Sequence, residues 1–296
     1  VAEPLVDIVI PVYNRDDLFL ECLNLVINQT YGNRHIYVVE DGSNLAGKYI
    51  SSFNENEALD DANDRNLQKR ISYVRLNENH GVSYCRNLGA SLGKGKYVAF
   101  LDSDDLWEPL KISRQVEYLE KHSEFNWIHT NETWQKNGVV IKQKKEHTKQ
   151  GGQFMKRQFE RCLISPSSVM FKRDFFESQG WFLPHFRVAE DYELWLRLNL
   201  KNPIAYLNEP LTIKRAGDWD QLSRTPEIDK YRVLALHRLY RLYKNDNDFK
   251  GLFSDWKIEL IKKIQILIKG AEKYGHVQKL AKYKRWLKAA GHLSGI

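Results

Sequence analysis

The chain has 296 residues, 42% of them hydrophobic and 28% charged, with a net charge of +7. That balance excludes disordered, collagenous and coiled-coil classes and leaves material for one large domain or two modest ones. No apolar run approaches the roughly 20 residues of a membrane helix and no basic-then-apolar leader opens the chain, so neither a membrane span nor export is expected.

The first strand is expected over residues 6–12: VDIVIPV is β-branched, mostly apolar and closed by turn chemistry at Asn14, as in a parallel strand buried on both faces. Leu18, Cys22, Leu25 and Val26 then recur at helical spacing over 16–29, Gly32 breaks the pattern, and a second strand follows over 35–39. This is a β-α-β unit. After a polar stretch ending near Lys69 come a strand around Tyr73, a helix over 82–92, and a strand over 97–101 entered through Gly93 and Gly95. Such alternation predicts a doubly wound, mostly parallel α/β sheet, with ligands at the carboxyl ends of its strands.

Past Asp105 the rhythm changes. A helix over 110–122, short strand-like pieces, the basic loop KQKKEHTK from Lys142 and a strand over 168–171 are followed by a helix over 191–200 and strand-like segments near Ala205 and Leu211. A boundary is expected near Thr225-Pro226. Beyond it three apolar stripes mark helices: Tyr231, Ala235, Leu239 and Leu242; Trp256, Leu260, Ile264 and Leu267; Leu280, Tyr283 and Leu287. The last two are expected to form a helical hairpin. Residues 226–296 carry sixteen Lys and Arg against seven Asp and Glu, a net +9, which leaves −2 for residues 1–225. No nucleic-acid motif accompanies this basicity, so nucleic acid is not expected; an anionic membrane face or an acidic partner is the attraction it suggests, and a solvated charged face on a packing hairpin is the plainer alternative. Cys22, Cys85 and Cys162 are odd in number and far apart, which suggests neither a disulfide framework nor a zinc site and fits a reducing cytoplasm.

Two phosphate-binding signatures are missing. Pro11-Val12-Tyr13-Asn14 follows the first strand where GxGxxG would stand, and Gly95-Lys96 has Ala90 and Tyr97 where a P-loop needs glycine and Ser or Thr. The strand ends offer acids instead: Glu40-Asp41, and Asp102-Ser103-Asp104-Asp105. Carboxylates at neighbouring strand ends suit a hard cation that completes its shell with substrate phosphates. An acidic turn after a strand is the plainer alternative.

IVIPVYNR, VVEDGSN, NHGVSYCRNLGASLGKGKYVAFLDSDD and AEDYELWLRL occur in this order, and with them residues 6–225 resemble the family 2 glycosyltransferases of the GT-A fold. The resemblance implies a Rossmann-like GT-A domain over 1–225 with an all-helical appendage over 226–296. It also implies a nucleotide-diphosphate sugar donor, most commonly on uridine diphosphate, a divalent metal (Mn²⁺ or Mg²⁺), and a saccharide or glycolipid acceptor. Carried over by position, it sets Pro11 and Tyr13 against the base, Asp41 at the base edge, Asp102 on the ribose, Arg86 near the diphosphate and Asp104 on the metal. Plain packing is the alternative for Tyr13, and a solvated helix position for Arg86. Asp191 is implied as the general base of an inverting transfer, with Glu190 positioning the acceptor or its neighbour. Acids at a helix N-terminus are also stabilised without any catalytic role.

KRAGDWDQLSR resembles a segment of relatives reading more like GGHxDQLS, so Asp218 stands where histidine is common and is a metal candidate only by that position. Trp107, Trp181 and Trp219 fall in regions the resemblance puts near the acceptor, and Trp219, in a polar loop, is the preferred stacking residue. The implied setting is polysaccharide or glycoconjugate assembly; the chain is expected in the cytoplasm, and its basic tail would allow peripheral association with the inner membrane face. A non-catalytic nucleotide-sugar-binding module with a docking tail is the rival reading.

Overall fold

The structure is a computed structural model, and it describes residues 2–55 and 70–293. Most of the polar stretch expected to end near Lys69 lies outside the described residues.

β1 (Val6–Val12) is buried along its whole length. It pairs in parallel with β2 (Arg34–Asp41) on one side and β4 (Tyr97–Phe100) on the other, and β3 (Ile71–Leu76) extends the parallel half beyond β2. Strand alternation sends Val6, Ile8, Ile10 and Val12 into a core with Phe19, Cys22, Leu23 and Val26 of α1 (Asp17–Ile27). Val9 faces the other way, toward α3 (Val82–Leu92), whose Gly89 lies so close that an added Cβ would stand 2.4 Å from Val9 Cγ1. Helices therefore cover both faces, as the alternating pattern predicts. α2 (Ala46–Glu55), which that pattern does not announce, lies between β2 and β3 in sequence.

Beyond β4 the sheet turns mixed: its order is β3-β2-β1-β4-β8-β6-β9-β5, with β7 paired to β6. β5 (Leu106–Trp107) is two residues long, and α4 (Lys111–Lys121) follows it. β6 (Trp127–Lys136) turns through Asn137 and Gly138, both at positive φ, into β7 (Val139–Ile141), the geometry that an Asn-Gly hairpin favours. β8 (Val169–Lys172) runs antiparallel to β4 and to β6, and α6 (Arg173–Ser178) succeeds it. The two strand-like segments expected near Ala205 and Leu211 are one bulged strand, β9 (Ala205–Ala216), parallel to β6. A buried pair fastens β1 to this half: Asp7 Oδ2 accepts from Arg173 Nη2 and from the Gly95 amide, each at 2.6 Å.

The chain forms two compact units, both built from separated segments rather than divided by one cut near Thr225. The first comprises residues 1–150, 164–187 and 204–219 and holds the whole sheet; the second comprises 151–163, 188–203 and 220–296. The second contains α5 (Met155–Glu160), α7 (Glu190–Lys201), α8 (Ile228–Tyr243), α9 (Asn247–Lys273) and α10 (Val277–Gly291). Trp256, Leu260, Ile264 and Leu267 of α9 are buried as their stripe requires, whereas Leu242 of α8 is exposed and Val233 and Leu236 take up the buried face. Asp246 caps α9 by accepting from the Asp248 amide. The helix ends at Gly275, at φ +66°, with His276 N–H reaching back to Ala271 C=O. Lys257 Nζ donates to Gly291 C=O near the far end of α10, which shows the expected hairpin of the last two helices.

Candidate functional site

The carboxyl ends of β1, β2 and β4 gather the acids of the first unit. Asp41, almost fully buried, accepts from His80 N–H at 2.7 Å and from Gly81 N–H at 2.9 Å, so both its oxygens hold the turn that opens α3. Glu40 beside it is wholly structural. Burial pushes its carboxyl up, but Tyr73, the Leu45 amide, Ser43 and the Ala46 amide together bring it below its ordinary value, and those contacts hold the start of α2. Pro11 is buried within β1, while Tyr13 is 48% exposed, so packing does not account for that ring.

Arg86 is no solvated helix arginine. It is 2% exposed, lies over the Phe182 ring and donates through Nη2 to Asp102 Oδ1 at 2.5 Å. Burial raises the Asp102 carboxyl, and the charges of Arg86, Lys214 and Arg15 outweigh it, leaving Asp102 below the usual range. Asp104 pairs with Arg15 at 3.7 Å and accepts from Trp219 Nε1 at 2.9 Å. Trp219 thus meets the acidic turn directly, its ring folded over Gly217, where a Cβ would stand 1.8 Å from Trp219 Cζ3. Trp107, by contrast, is core: 1% exposed, with its indole bonded to Ser167 C=O at 2.6 Å. Trp181 packs against Phe176. Asp218 is exposed, and no contact joins it to Asp102 or Asp104 among the described residues.

The last acid of the turn is an anchor. Asp105 accepts from Ser167 Oγ at 2.6 Å, Lys214 Nζ at 3.1 Å and the Arg215 amide at 3.1 Å. Burial pushes its carboxyl up to about 6, against Lys214 and with the help of Asp104 and Asp102. Burial likewise disfavours the Lys214 cation, but Asp105, Asp102, Glu132 and Asp104 outweigh it and keep the ammonium charged. Arg215 Nε donates to Asp104 C=O at 2.6 Å and its Nη1 to Glu21. Arg15, Lys214 and Arg215 were not among the expected site residues, although YNR and KRAGDWDQ contain them. The place of Lys214 and Arg215 at the turn comes from the β5–β9 pairing, which sequence spacing does not reveal, and Arg15 arrives there from the loop after β1.

Three clustered Asp, Glu, His or Cys side chains able to hold a metal are not found among the described residues. Asp102 and Asp104 are hard-oxygen donors flanked by cations, a set that fits a divalent ion arriving with phosphate oxygens and does not fit a fully protein-bound one.

The second unit carries the other acidic step. Glu190, buried, and Asp191, half-buried, occupy the first turn of α7, directly after Ala189 at φ +57°. Asp191 Oδ1 accepts from the Tyr192 amide at 2.7 Å, and the Cys162 thiol points at its Oδ2 from 3.4 Å. Glu193, which sequence reading passed over, binds Arg197 at 2.9 Å and Arg238 at 3.1 Å and ties α7 to α8. A cavity of about 490 Å³ lies elsewhere in the first unit, between β6, β7 and β9, and includes neither Asp102 nor Asp104.

The model of glycosyl transferase family 2 matches residues 7–180. An uncharacterized glycosyltransferase of Rickettsia felis is 29% identical over 260 residues, 86% of this chain and 40% of that protein. The chain thus spans about two fifths of that rickettsial relative's length. A putative teichuronic acid biosynthesis glycosyltransferase, TuaG of Bacillus subtilis, is 29% identical over 71% of this chain and 78% of its own. Among solved structures, S. aureus TarS 1-349 in complex with UDP-GlcNAc superposes with a TM-score of 0.62 at 14% identity, covering 97% of this chain and 92% of its own. The mannosyltransferase PcManGT of Pyrobaculum calidifontis, in complex with GDP-Man and Mn²⁺, superposes with a TM-score of 0.62 at 15% identity, over 98% of this chain and 85% of its own. The shared fold is that of GT-A glycosyltransferases.

Proposed function

Because the chain belongs to glycosyl transferase family 2, we propose that it transfers a sugar from a nucleotide-diphosphate donor to an acceptor hydroxyl, inverting the anomeric centre. The observation that carries this reading is the cluster at the end of β4, where Asp102 pairs with Arg86 and Asp104 with Arg15, flanked by Lys214 and Arg215. Fixed cations beside hard carboxylates suit a diphosphate whose charge grows as it leaves. Tyr13 and Pro11 would face the base, with Asp41 shaping the turn at its edge and Asp102 on the ribose. A divalent ion held through Asp104, Mn²⁺ or Mg²⁺, supplies further positive charge to the phosphate oxygens when bound.

In one displacement Asp191 takes the acceptor's hydroxyl proton while that oxygen bonds to the anomeric carbon. The bond from this carbon to the diphosphate oxygen breaks, its electron pair leaving with the nucleoside diphosphate. Glu190 and Trp219 are assigned to the acceptor, a saccharide or glycolipid, and Asp218 is at most an auxiliary ligand. Uridine diphosphate is the favoured carrier, which the TarS complex supports; the setting is surface polysaccharide assembly, which the TuaG likeness supports. Residues 1–225 would carry the reaction and the basic helices of 226–296 would dock to an anionic surface.

The test combines calorimetry of nucleotide-sugars, with Mn²⁺ and with chelator, and an assay of nucleoside diphosphate release. Asp104→Ala is expected to abolish metal-dependent nucleotide binding. Asp191→Asn, which keeps size and an oxygen for the Tyr192 amide, is expected to bind donor normally and to lose about 10² to 10⁴ in turnover. Nucleotide affinity indifferent to chelator removes the metal assignment. Normal turnover in Asp191→Asn, or a product that keeps the donor's configuration by NMR, removes the mechanism, and wild-type binding without turnover favours the binding module.

A further inference from the structure

Among the described residues the hairpin of β6 and β7 leaves apolar side chains exposed, two of which, Val140 and Ile141, also line the open cavity between β6, β7 and β9. Val139 is 66% exposed, Val140 64% and Ile141 38%. Successive strand residues point to opposite faces, so three exposed neighbours mean that both faces of β7 are open. β7 pairs only with β6 among the described residues, which makes it an edge strand. The positions around it are basic and exposed: Lys136 stands opposite Val139 in the ladder, and Lys142, Lys144 and Lys145 follow at once. Residues 136–147 carry four lysines against one glutamate, a net +3, while Lys149 is buried against Glu132.

A protein partner lying on one face would leave the other apolar face in water. A second copy adding a strand at this edge would bring two lysine-rich segments together, which like charge opposes. A layer of anionic headgroups over hydrocarbon meets both conditions, because it takes up exposed apolar side chains along a sheet edge and offers phosphates to the flanking ammonium groups. We propose that the β6–β7 hairpin is a lipid-docking element that inserts Val139 and Val140 into an anionic bilayer surface while Lys142, Lys144 and Lys145 bind its phosphates. The inference rests on the exposed strand alone, independent of the sugar-transfer reading and of any role for the C-terminal helices.

The experiment is co-sedimentation of the full chain with vesicles of equal parts phosphatidylcholine and phosphatidylglycerol, against phosphatidylcholine alone, at low and high salt. Binding is expected only to the anionic vesicles and is expected to fall with salt. Val139→Thr with Val140→Thr keeps β-branched residues in the strand and is expected to weaken partitioning about tenfold. Lys142→Gln, Lys144→Gln and Lys145→Gln are expected to cost about fivefold each. Lys282→Gln with Lys284→Gln and Lys288→Gln, on α10, is expected to leave the hairpin's share intact, and unchanged melting shows that every variant is folded. The proposal is overturned if wild type stays in the supernatant, if both hairpin sets bind like wild type, or if the threonine pair alters the oligomeric state in sedimentation velocity and not vesicle binding.

Discussion

Gly217 has no side chain to obstruct Trp219, and that small fact decides which group Asp104 holds. A methyl group at Gly217 displaces the indole, because the ring is the nearer and softer neighbour. Gly217→Ala is therefore expected to remove the indole from Asp104 Oδ2, leaving Arg15 at 3.7 Å beside it, and to tighten Mn²⁺ binding by the protein without donor by about tenfold, the worth of a hydrogen bond to a charged group. Manganese titration followed by electron paramagnetic resonance reads this directly, and an unchanged affinity shows that Trp219 does not compete for the carboxylate. At this scale legibility was uneven. The acids Asp102 and Asp104 are visible in DSDD because they stand in one short run, whereas the pairing of Arg86 with Asp102 is not. Lys214 reaches Asp105 across 109 residues and Glu40 reserves its carboxylate for α2, and no local pattern records either contact.

Elements were legible where apolar periodicity is strong, as in β1, α3, α7 and α9. α2 was passed over although Ala46, Tyr49 and Ile50 of AGKYISSFNE fall at helical spacing, and its first turn is satisfied from β2 by Glu40, a contact no local pattern records. The β6–β7 hairpin was marked in sequence by Asn137-Gly138 between β-prone residues, a signal passed over because the lysines after it suggested a loop. Where a helix and a strand are fastened by charge, the cost of loosening them is large. Arg173 donates to Asp7, to Ala90 C=O at 2.7 Å and to Gly95 C=O at 2.6 Å, while Asp7 Oδ1 has no hydrogen-bond partner among the described residues. Removing the guanidinium strands a buried carboxylate, so Arg173→Met is expected to lose about 3–5 kcal/mol in urea unfolding. Combining it with Asp7→Asn is expected to recover part of that loss, and strict additivity in this cycle would show that the two groups do not interact.

For the molecule as a whole, buried His129 links folding to pH. Burial lowers its imidazole from 6.5 to about 4, against a hydrogen bond to Gln150 C=O. Above pH 6.5 both folded and unfolded chains are neutral there; as pH falls toward 4 only the unfolded chain takes the proton, so stability is lost, by about 3 kcal/mol over the full window. Asp105 acts oppositely, since a raised carboxyl pKa favours the folded state as pH falls through 6. Comparing urea midpoints of wild type and His129→Gln between pH 6.5 and 5 isolates the histidine, and parallel midpoints would show that its proton is not linked to folding. The first unit is completed late in synthesis, because its last segment is residues 204–219. Asp102, Asp104 and Asp105 leave the ribosome more than a hundred residues before Lys214 and Arg215, and β4 waits until β8 for its second neighbour. A nascent chain halted in this interval would hold a nearly complete parallel half-sheet ending in three carboxylates with only part of their countercharge. The site thus becomes electrically whole only when β9 has been made, so a single late strand governs both the closing of the sheet and the readiness of its acidic turn.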